Sequence, residues 1–114
     1  MTHEEVRALV LALPETAEGT SYGLPSFKTC GRFLTRIRAE DDSLVVPVAS
    51  VDEREMLIEA EPETFHITDH YRDYPTVLAR IATVDPAWLR AKLLARWRRL
   101  TPRRVQKAFD EGAG

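Results

Sequence analysis

The chain has 114 residues, of which 44% are hydrophobic and 30% are charged, and its formal net charge is −2. These values are typical of one soluble globular domain, so we predict a single domain over residues 1–114. No apolar run approaches the roughly 20 residues that span a bilayer, which excludes an integral membrane protein. The one cysteine, Cys30, excludes an internal disulfide. The single cysteine and an N-terminal segment that does not resemble a signal peptide favour a cytoplasmic protein.

Charge is divided unevenly along the chain. Residues 1–84 carry eight basic and 15 acidic side chains, whereas residues 85–114 carry eight basic and three acidic ones. A basic end of this kind is explained either by a negatively charged partner or by a C-terminal helix that lies against an acidic body. Both interpretations stay open at this point.

The N-terminal segment has the signals of a helix followed by turns. Thr2 and Glu5 match a capping box, and apolar residues then recur at helical spacing until Pro14. Residues 15–24 contain two glycines among small polar residues. This composition predicts an irregular, turn-rich segment.

Three strands are predicted next. Ser26–Cys30 and Phe33–Arg38 flank Gly31 and are expected to form a hairpin. Alternation along the second of these strands predicts that successive side chains point to opposite faces. Residues 44–48 alternate again, and Pro47 indicates an edge strand or the end of a strand.

A helix and two more strands follow. Ser50 and Glu53 match a second capping box and open the helix, which Pro62 ends. Its predicted buried face consists of Met56, Leu57 and Ala60. Thr64–Thr68 and Thr76–Val84 are predicted strands, separated by a loop rich in aromatic and charged residues.

Two helices are predicted in the basic C-terminal part. Asp85 as N-cap with Pro86 at the first helical position is a strong helix start. The predicted buried stripe of this helix is Leu89, Leu93, Trp97 and Leu100. A short last helix follows Thr101, with Val105 and Phe109 as its expected core contacts.

The element order is therefore α-β-β-β-α-β-β-α with a short helical tail. Strands joined by short loops are antiparallel, so we predict an antiparallel five-stranded sheet with helices covering one face. The predicted fold class is an α+β two-layer domain.

Two segments of the sequence carry a family resemblance. Glu18-Gly-Thr-Ser-Tyr-Gly-Leu-Pro-Ser-Phe27 lies in the turn-rich segment, and His70-Tyr-Arg-Asp-Tyr-Pro75 connects the last two strands. Together with the element order, and over essentially the whole chain, they resemble the MmcQ/YjbR family. The resemblance implies a small α+β fold with an α-β3-α-β2-α arrangement, described as a double wing. It also implies DNA binding, the label that members commonly carry.

The second segment departs from the family pattern. This chain has Asp69, Asp73 and Thr76 where many relatives have proline, glycine and tryptophan around the motif. Two carboxylates beside Arg72 disfavour an approaching phosphate. We therefore expect any DNA contact to lie outside this loop.

The basic C-terminal helix is the predicted DNA-binding element, because basic side chains neutralise phosphates and supply most non-specific affinity. A helical wheel places Lys92, Arg96 and Arg99 on one flank of the buried stripe, and Arg103 extends this set. Trp88 lies one turn before Lys92 and can stack on a base. The alternative is that Trp88 covers the sheet edge and the arginine stems cover apolar surface.

Neither metal nor catalytic chemistry is predicted. His66 and His70 are four residues apart, but they fall on a strand and a loop, where this spacing does not bring them together. Cys30 has no predicted histidine partner that would activate it as a nucleophile. Phosphate-cradling loops are absent. We therefore expect a non-enzymatic protein without metal or cofactor.

The two family segments are either a structural network that fixes two loops or a groove for a protein or small-ligand partner. The residues concerned are Ser21, Tyr22, His70, Tyr71, Arg72 and Tyr74. DNA binding through the C-terminal helix is thus the leading functional hypothesis. A protein- or small-ligand-binding module that uses these two loops is the alternative.

Overall fold

Within residues 1–21 and 23–112, which the computed structural model describes, the chain forms four α-helices and six β-strands. The helices are α1 (His3–Leu11), α2 (Val51–Ala60), α3 (Pro86–Leu100) and α4 (Arg103–Gly112). The strands are β1 (Thr16–Ser21), β2 (Leu24–Thr29), β3 (Arg32–Arg38), β4 (Ser43–Pro47), β5 (Phe65–His66) and β6 (Thr76–Arg80). A short 3-10 helix over Asp69–Tyr71 lies between β5 and β6.

The strands form one antiparallel sheet with the spatial order β1-β2-β3-β4-β6-β5. The predicted α+β class is confirmed, but the prediction of five strands is wrong. The additional strand is β1, in the segment predicted to be turn-rich, and it pairs with β2 from Thr16 opposite Thr29 to Ser21 opposite Leu24. Its sequence lacks the alternating apolar residues that reveal a strand, because this edge strand buries few side chains.

The predicted hairpin around Gly31 is confirmed. Thr29 pairs with Arg32 across a two-residue turn. Cys30 (φ 51°) and Gly31 (φ 77°), the two turn residues, both have left-handed backbone. Turns of this kind match the natural twist of paired strands. As a result, Arg32 stands at the very start of β3, next to the tip of the hairpin.

A β-bulge interrupts the alternation predicted for β3. Phe27 pairs with Thr35 and Lys28 pairs with Phe33, which leaves Leu34 as an extra residue. Leu34 and Thr35 are both fully buried. The strict alternation predicted for this strand is therefore wrong at the bulge, where two successive side chains are withdrawn from solvent.

All four helices pack on one face of the sheet. Leu44 lies opposite Ala79 and Val46 lies opposite Val77, so these four side chains share a face. They belong to one buried cluster that also contains side chains of α1, α3 and α4, and residues of α2 pack against its margin. Removing this apolar surface from water is the main force that holds the helical layer to the sheet.

Helix α3 begins and packs as predicted. The Asp85 side chain caps it by accepting a hydrogen bond from the Ala87 N–H at 3.1 Å. All four residues of the predicted stripe are buried, and Trp97 completely so. The Trp97 indole N–H donates to the Pro14 carbonyl at 2.8 Å, which ties α3 to the segment after α1. No helix in the described ranges is both long and apolar enough to span a membrane.

Helix α2 has the predicted N-cap Ser50, but the predicted capping box is only half formed, because Glu53 accepts a hydrogen bond from the Ala49 N–H and not from the Ser50 N–H. The Ser50 hydroxyl accepts a hydrogen bond from the Glu53 N–H at 3.1 Å. The helix also buries an unexpected residue. Met56 is 68% exposed, whereas Arg54 is only 3% exposed. The prediction that Met56 belongs to the buried face is therefore wrong. A charged residue in a helix is normally solvent-facing, so the hydrophobic pattern gives no sign that Arg54 points inwards.

We expect Trp97→Phe to lower the free energy of unfolding by about 1–3 kcal/mol, because it removes buried volume and the hydrogen bond from the indole N–H to the Pro14 carbonyl. The control is Met56→Ala, which truncates a largely exposed side chain and should change the free energy by less than about 0.5 kcal/mol. Urea unfolding followed by circular dichroism measures both. Equal losses in the two variants would contradict this packing.

Candidate functional site

The flank of α3 that the sequence singled out crosses the sheet, and three of its side chains meet different elements. The Trp88 ring packs edge-on against Phe65 of β5, with ring centroids 4.7 Å apart. The Lys92 ammonium forms an ion pair with Glu53 of α2. Arg96 reaches β3, where its Nη2 donates to the Phe33 carbonyl at 3.3 Å. Trp88 and Lys92 thus contact the protein itself, and Trp88 lies against the edge strand.

Three arginines meet where α3 passes the start of β3. Arg96 is hydrogen-bonded to Phe33, the residue that follows Arg32. Arg99 lies one helical turn after Arg96, so the two side chains are neighbours on the helix surface. Arg32 and Arg99 are exposed, whereas Arg96 is half-buried. We refer to Arg32, Arg96 and Arg99 as the arginine cluster.

The positive charge of the arginine cluster is not neutralised by a described carboxylate. Within residues 1–21 and 23–112, none of its members forms an ion pair. Burial lowers the pKa of Arg96, and the positive charges of Arg32 and Arg99 lower it further. The buried Nε of Arg96 also has no hydrogen-bond acceptor among those residues. An anion at this place would offset the repulsion.

The other basic residues of the C-terminal part differ in how their charge is balanced. Arg98 binds Asp110 of α4, with Nη2 and Oδ1 2.7 Å apart, and this hydrogen bond raises the pKa of Arg98. Arg103 is exposed in the first turn of α4. Three more basic residues with exposed side chains are Arg90, Arg104 and Lys107. Free positive charge therefore concentrates on the second half of α3 and on α4.

The loop over residues 69–74 is held in place by the buried guanidinium of Arg54. Its Nη1 donates to the backbone carbonyls of Tyr71, Arg72 and Tyr74 at 3.0, 3.1 and 2.8 Å. On its other side, Nη2 of Arg54 contacts Glu55 at 2.7 Å. One side chain of α2 therefore fixes the backbone of this loop. This role is invisible in the loop's own sequence.

The side chains of the 69–74 loop are mostly directed to solvent. His70 is exposed and packs edge-on against the Tyr71 ring, with centroids 4.8 Å apart. Arg72 pairs with Asp69 at 2.8 Å, so its charge is already balanced by a neighbouring carboxylate. Tyr74 is 57% exposed. The loop thus combines a fixed backbone with displayed polar and aromatic groups.

A polar network lies on the sheet face away from the helices. There the His66 Nε2–H donates to Asp41 Oδ2 at 3.1 Å, and Arg38 Nε donates to Asp41 Oδ1 at 3.3 Å. The Arg38 guanidinium lies 5.9 Å from the centre of the Tyr71 ring. Burial alone would raise the pKa of Asp41, but the hydrogen bond from His66 and the contact with Arg38 hold it below its usual value. The network links β3 and β5 to the loop.

The two family segments lie far apart in the sheet. Ser21 ends β1, at one edge, and accepts a hydrogen bond from the Ser26 hydroxyl at 3.2 Å. The 69–74 loop joins β5 and β6, at the other edge. Tyr22 lies outside the described residues. Between Ser21 and residues 70–74, the described part of the chain shows no hydrogen bond, so the predicted single network is not assembled through Ser21.

The first family segment lines a groove beside α1 instead. This groove has a volume of about 620 Å³. Phe27 and Ile37 contribute apolar surface to it, and the Arg7–Glu18 ion pair stands at its margin. The volume falls within the range of small-molecule sites. Cys30 lies at the hairpin tip and is exposed.

Comparison with known proteins places the chain among relatives without an assigned activity. A family model described as YjbR matches residues 11–99. Uncharacterised proteins of Mycobacterium bovis and of two strains of Mycobacterium tuberculosis are each 28% identical to it over 127 residues. These matches cover 99% of this chain and 98% of each relative. No solved structure gives a significant match.

Sequence reasoning missed two residues that organise these surfaces. Arg32 follows a turn that was predicted correctly, but its approach to Arg96 joins residues 64 positions apart and leaves no local signal. Arg54 was missed because its acceptors are backbone carbonyls, which any sequence supplies. By contrast, the predicted placement of Arg96 and Arg99 on the flank of α3 agrees with their burial.

We expect Arg54→Met to lower the free energy of unfolding by about 2–4 kcal/mol, because three carbonyls lose a charged, buried donor. The matched control is Arg72→Met, which removes an exposed guanidinium and should cost less than about 0.5 kcal/mol. Urea unfolding measures the stability, and amide hydrogen exchange of residues 71–74 reports the loop. Unchanged exchange in Arg54→Met would contradict the role of Arg54.

The low pKa of Asp41 predicts a pH-dependent contribution to stability. Because folding lowers this pKa from the ordinary value of 3.8, the contribution is complete above that value and is lost as the pH falls through the folded pKa. Asp41→Asn should therefore be less stable than wild type at neutral pH, and the difference should shrink below about pH 4. Urea titrations at several pH values measure it. Asp73→Asn is the control, and a difference for Asp41→Asn that persists at low pH would refute the assignment.

Proposed function

Because the chain belongs to the YjbR family, we propose that it is a non-catalytic DNA-binding protein that holds phosphates on the arginine cluster. The observation that carries this proposal is the gathering of Arg32, Arg96 and Arg99 without a described carboxylate partner. The family match includes all three residues, since it extends over residues 11–99.

The chemistry of the cluster suits phosphate groups. Guanidinium groups present several N–H donors in a planar fork, which matches the oxygens of a phosphate. Burial and the positive charges of Arg32 and Arg99 lower the pKa of Arg96, and a bound phosphate would offset the repulsion among the three arginines. It also releases counterions from the DNA, which supplies most of the affinity of non-specific binding.

The position of the cluster defines a contact surface of two elements. Arg32 stands at the tip of the β2–β3 hairpin, and Arg99 stands near the end of α3. Arg103, at the start of α4, extends the positive surface along the chain. Lys92 and Trp88 are left out of the proposed contact, because Glu53 and Phe65 already occupy them. Phosphate contacts alone carry no sequence information, so the proposed binding is largely non-specific.

A second candidate function is recognition of a protein or small ligand, and two observations favour it. The backbone of the 69–74 loop is fixed by Arg54 while Tyr74 stays exposed. Fixed loops with displayed aromatic groups are common at binding surfaces. The groove of about 620 Å³ beside α1 offers a separate concave site. The charge balance of Arg72 by Asp69 makes this loop a poor site for phosphate.

DNA binding is tested by fluorescence anisotropy with duplex and single-stranded DNA at several salt concentrations. We expect binding at low salt that weakens steeply as salt rises. Arg32→Gln combined with Arg99→Gln should weaken binding and flatten the slope of log K against log salt by roughly 1.8, or about 0.9 for each lost phosphate contact. Both positions are exposed, so the double variant should still fold.

The matched control is Arg90→Gln combined with Arg104→Gln, which also removes two exposed positive charges from the C-terminal part. An equal loss in this control would show that total charge and not the cluster binds DNA. Tyr74→Ser tests the second candidate function, which is binding through the 69–74 loop. Absence of binding at low salt would refute the DNA proposal, and loss of binding in Tyr74→Ser alone would move the contact to the loop.

A further inference from the structure

We infer that the arginine cluster receives a terminal phosphate, the phosphomonoester at the end of a DNA strand, in preference to an internal phosphodiester. This inference rests on the proposed function and specifies the ligand of the same site. It follows from the compact arrangement of Arg32, Arg96 and Arg99 at one point between the hairpin tip and α3.

The arrangement of the three arginines around one point favours a single phosphate group as the ligand. Arg96 is anchored to the Phe33 carbonyl, directly beside Arg32 along the chain, and Arg99 is one helical turn away. Residues at this helical spacing have their Cβ atoms about 5–6 Å apart. Three guanidinium groups can therefore approach a single group. A surface that follows a strand backbone needs its cations spread along the strand, as the phosphates are.

A phosphomonoester also matches the cluster better than a phosphodiester in its charge and in its number of acceptor oxygens. A phosphomonoester carries a charge of about −1.5 to −2 at neutral pH and presents three strong acceptor oxygens. An internal diester carries one charge and has two free oxygens. Three planar donors around one point match the acceptors of the monoester, and each can form a charge-assisted pair with it.

The burial and charge environment of Arg96 also favours a ligand with more than one negative charge. Some partly buried basic groups have a carboxylate partner, as Lys92 has Glu53 and Arg38 has Asp41, whereas Lys28 and Arg80 have none among the described residues. Arg96 is half-buried and has two arginine neighbours, and within the described part of the chain its side chain donates a hydrogen bond only to the Phe33 carbonyl. A ligand with nearly two negative charges balances the positive charge around Arg96 better than a ligand with one.

The path of the remaining strand is consistent with this assignment. Helix α4 follows α3 after Thr101 and Pro102, and two exposed basic residues one helical turn apart lie on it, namely Arg103 and Lys107. A strand whose end lies in the cluster can place its next phosphates near this helix. The cluster would then recognise the strand end, and α4 would supply the salt-dependent contacts to the internal phosphates.

The test compares two single-stranded DNA oligonucleotides labelled at the 3′ end. One carries a 5′-phosphate, and the other has a 5′-hydroxyl and one additional nucleotide, which supplies an extra internal phosphate. We expect the 5′-phosphate oligonucleotide to bind roughly tenfold more tightly. Equal binding of the two would overturn the inference and leave the proposed function intact. Absence of binding to both oligonucleotides at low salt would overturn both the inference and the proposed function.

Lysine variants separate the effect of the planar guanidinium donors from the effect of their positive charge. Arg32→Lys combined with Arg99→Lys keeps both charges but replaces planar donors by point charges. It should lose most of the preference for the 5′-phosphate, measured as the ratio of the dissociation constants of the two oligonucleotides for the same variant. A preference that survives in this variant would overturn the assignment to these residues. The control, Arg90→Lys with Arg104→Lys, should keep the preference.

Inorganic phosphate and a nucleoside 5′-monophosphate identify the source of the phosphomonoester. If the site takes a strand end, both compete with the 5′-phosphate oligonucleotide only at concentrations well above its own Kd, because they lack the contacts to α4. Competition by the monophosphate at the Kd of the oligonucleotide would show that the site takes a free nucleotide, and would contradict recognition of a strand end.

Discussion

The position of helix α3 on the sheet determines where the functional groups stand. Its stripe of buried side chains, with Trp97 completely enclosed, admits one orientation of the helix over the strands. That orientation carries the flank of α3 from the edge strand, where Trp88 meets Phe65, to the start of β3, where Arg96 meets Phe33. The hydrogen bond from Trp97 to Pro14 fixes the same helix against the N-terminal part. The arginine cluster is therefore a consequence of core packing.

Two surfaces of different character result. The arginine cluster combines exposed guanidinium groups with a half-buried one and lacks a described carboxylate. The 69–74 loop has a backbone fixed by Arg54 and a charge balanced by Asp69. The first surface suits an anion and the second suits a neutral or aromatic contact. Family membership alone does not choose between them, because the mycobacterial relatives are uncharacterised.

Local signals were predicted well from the sequence, and contacts between distant residues were not. The start of α3 was predicted because Asp85 and its following proline act within one turn. The hairpin at Gly31 was predicted because a glycine between two strand segments is also a local signal. Strand β1 was missed because its pairing with β2, not its own apolar pattern, defines it. Arg54 and the approach of Arg32 to Arg96 depend on the packed fold, so no local pattern could reveal them.

We propose that DNA contacts the arginine cluster and not the 69–74 loop. The most direct measurement is a titration of the ¹⁵N-labelled protein with a short DNA strand, followed by the chemical shifts of backbone amides and arginine Nε–H groups. We expect the largest changes at Arg32, Phe33, Arg96 and Arg99, with His70–Tyr74 little affected. Large changes confined to His70–Tyr74, with the signals of the cluster unchanged, would contradict it.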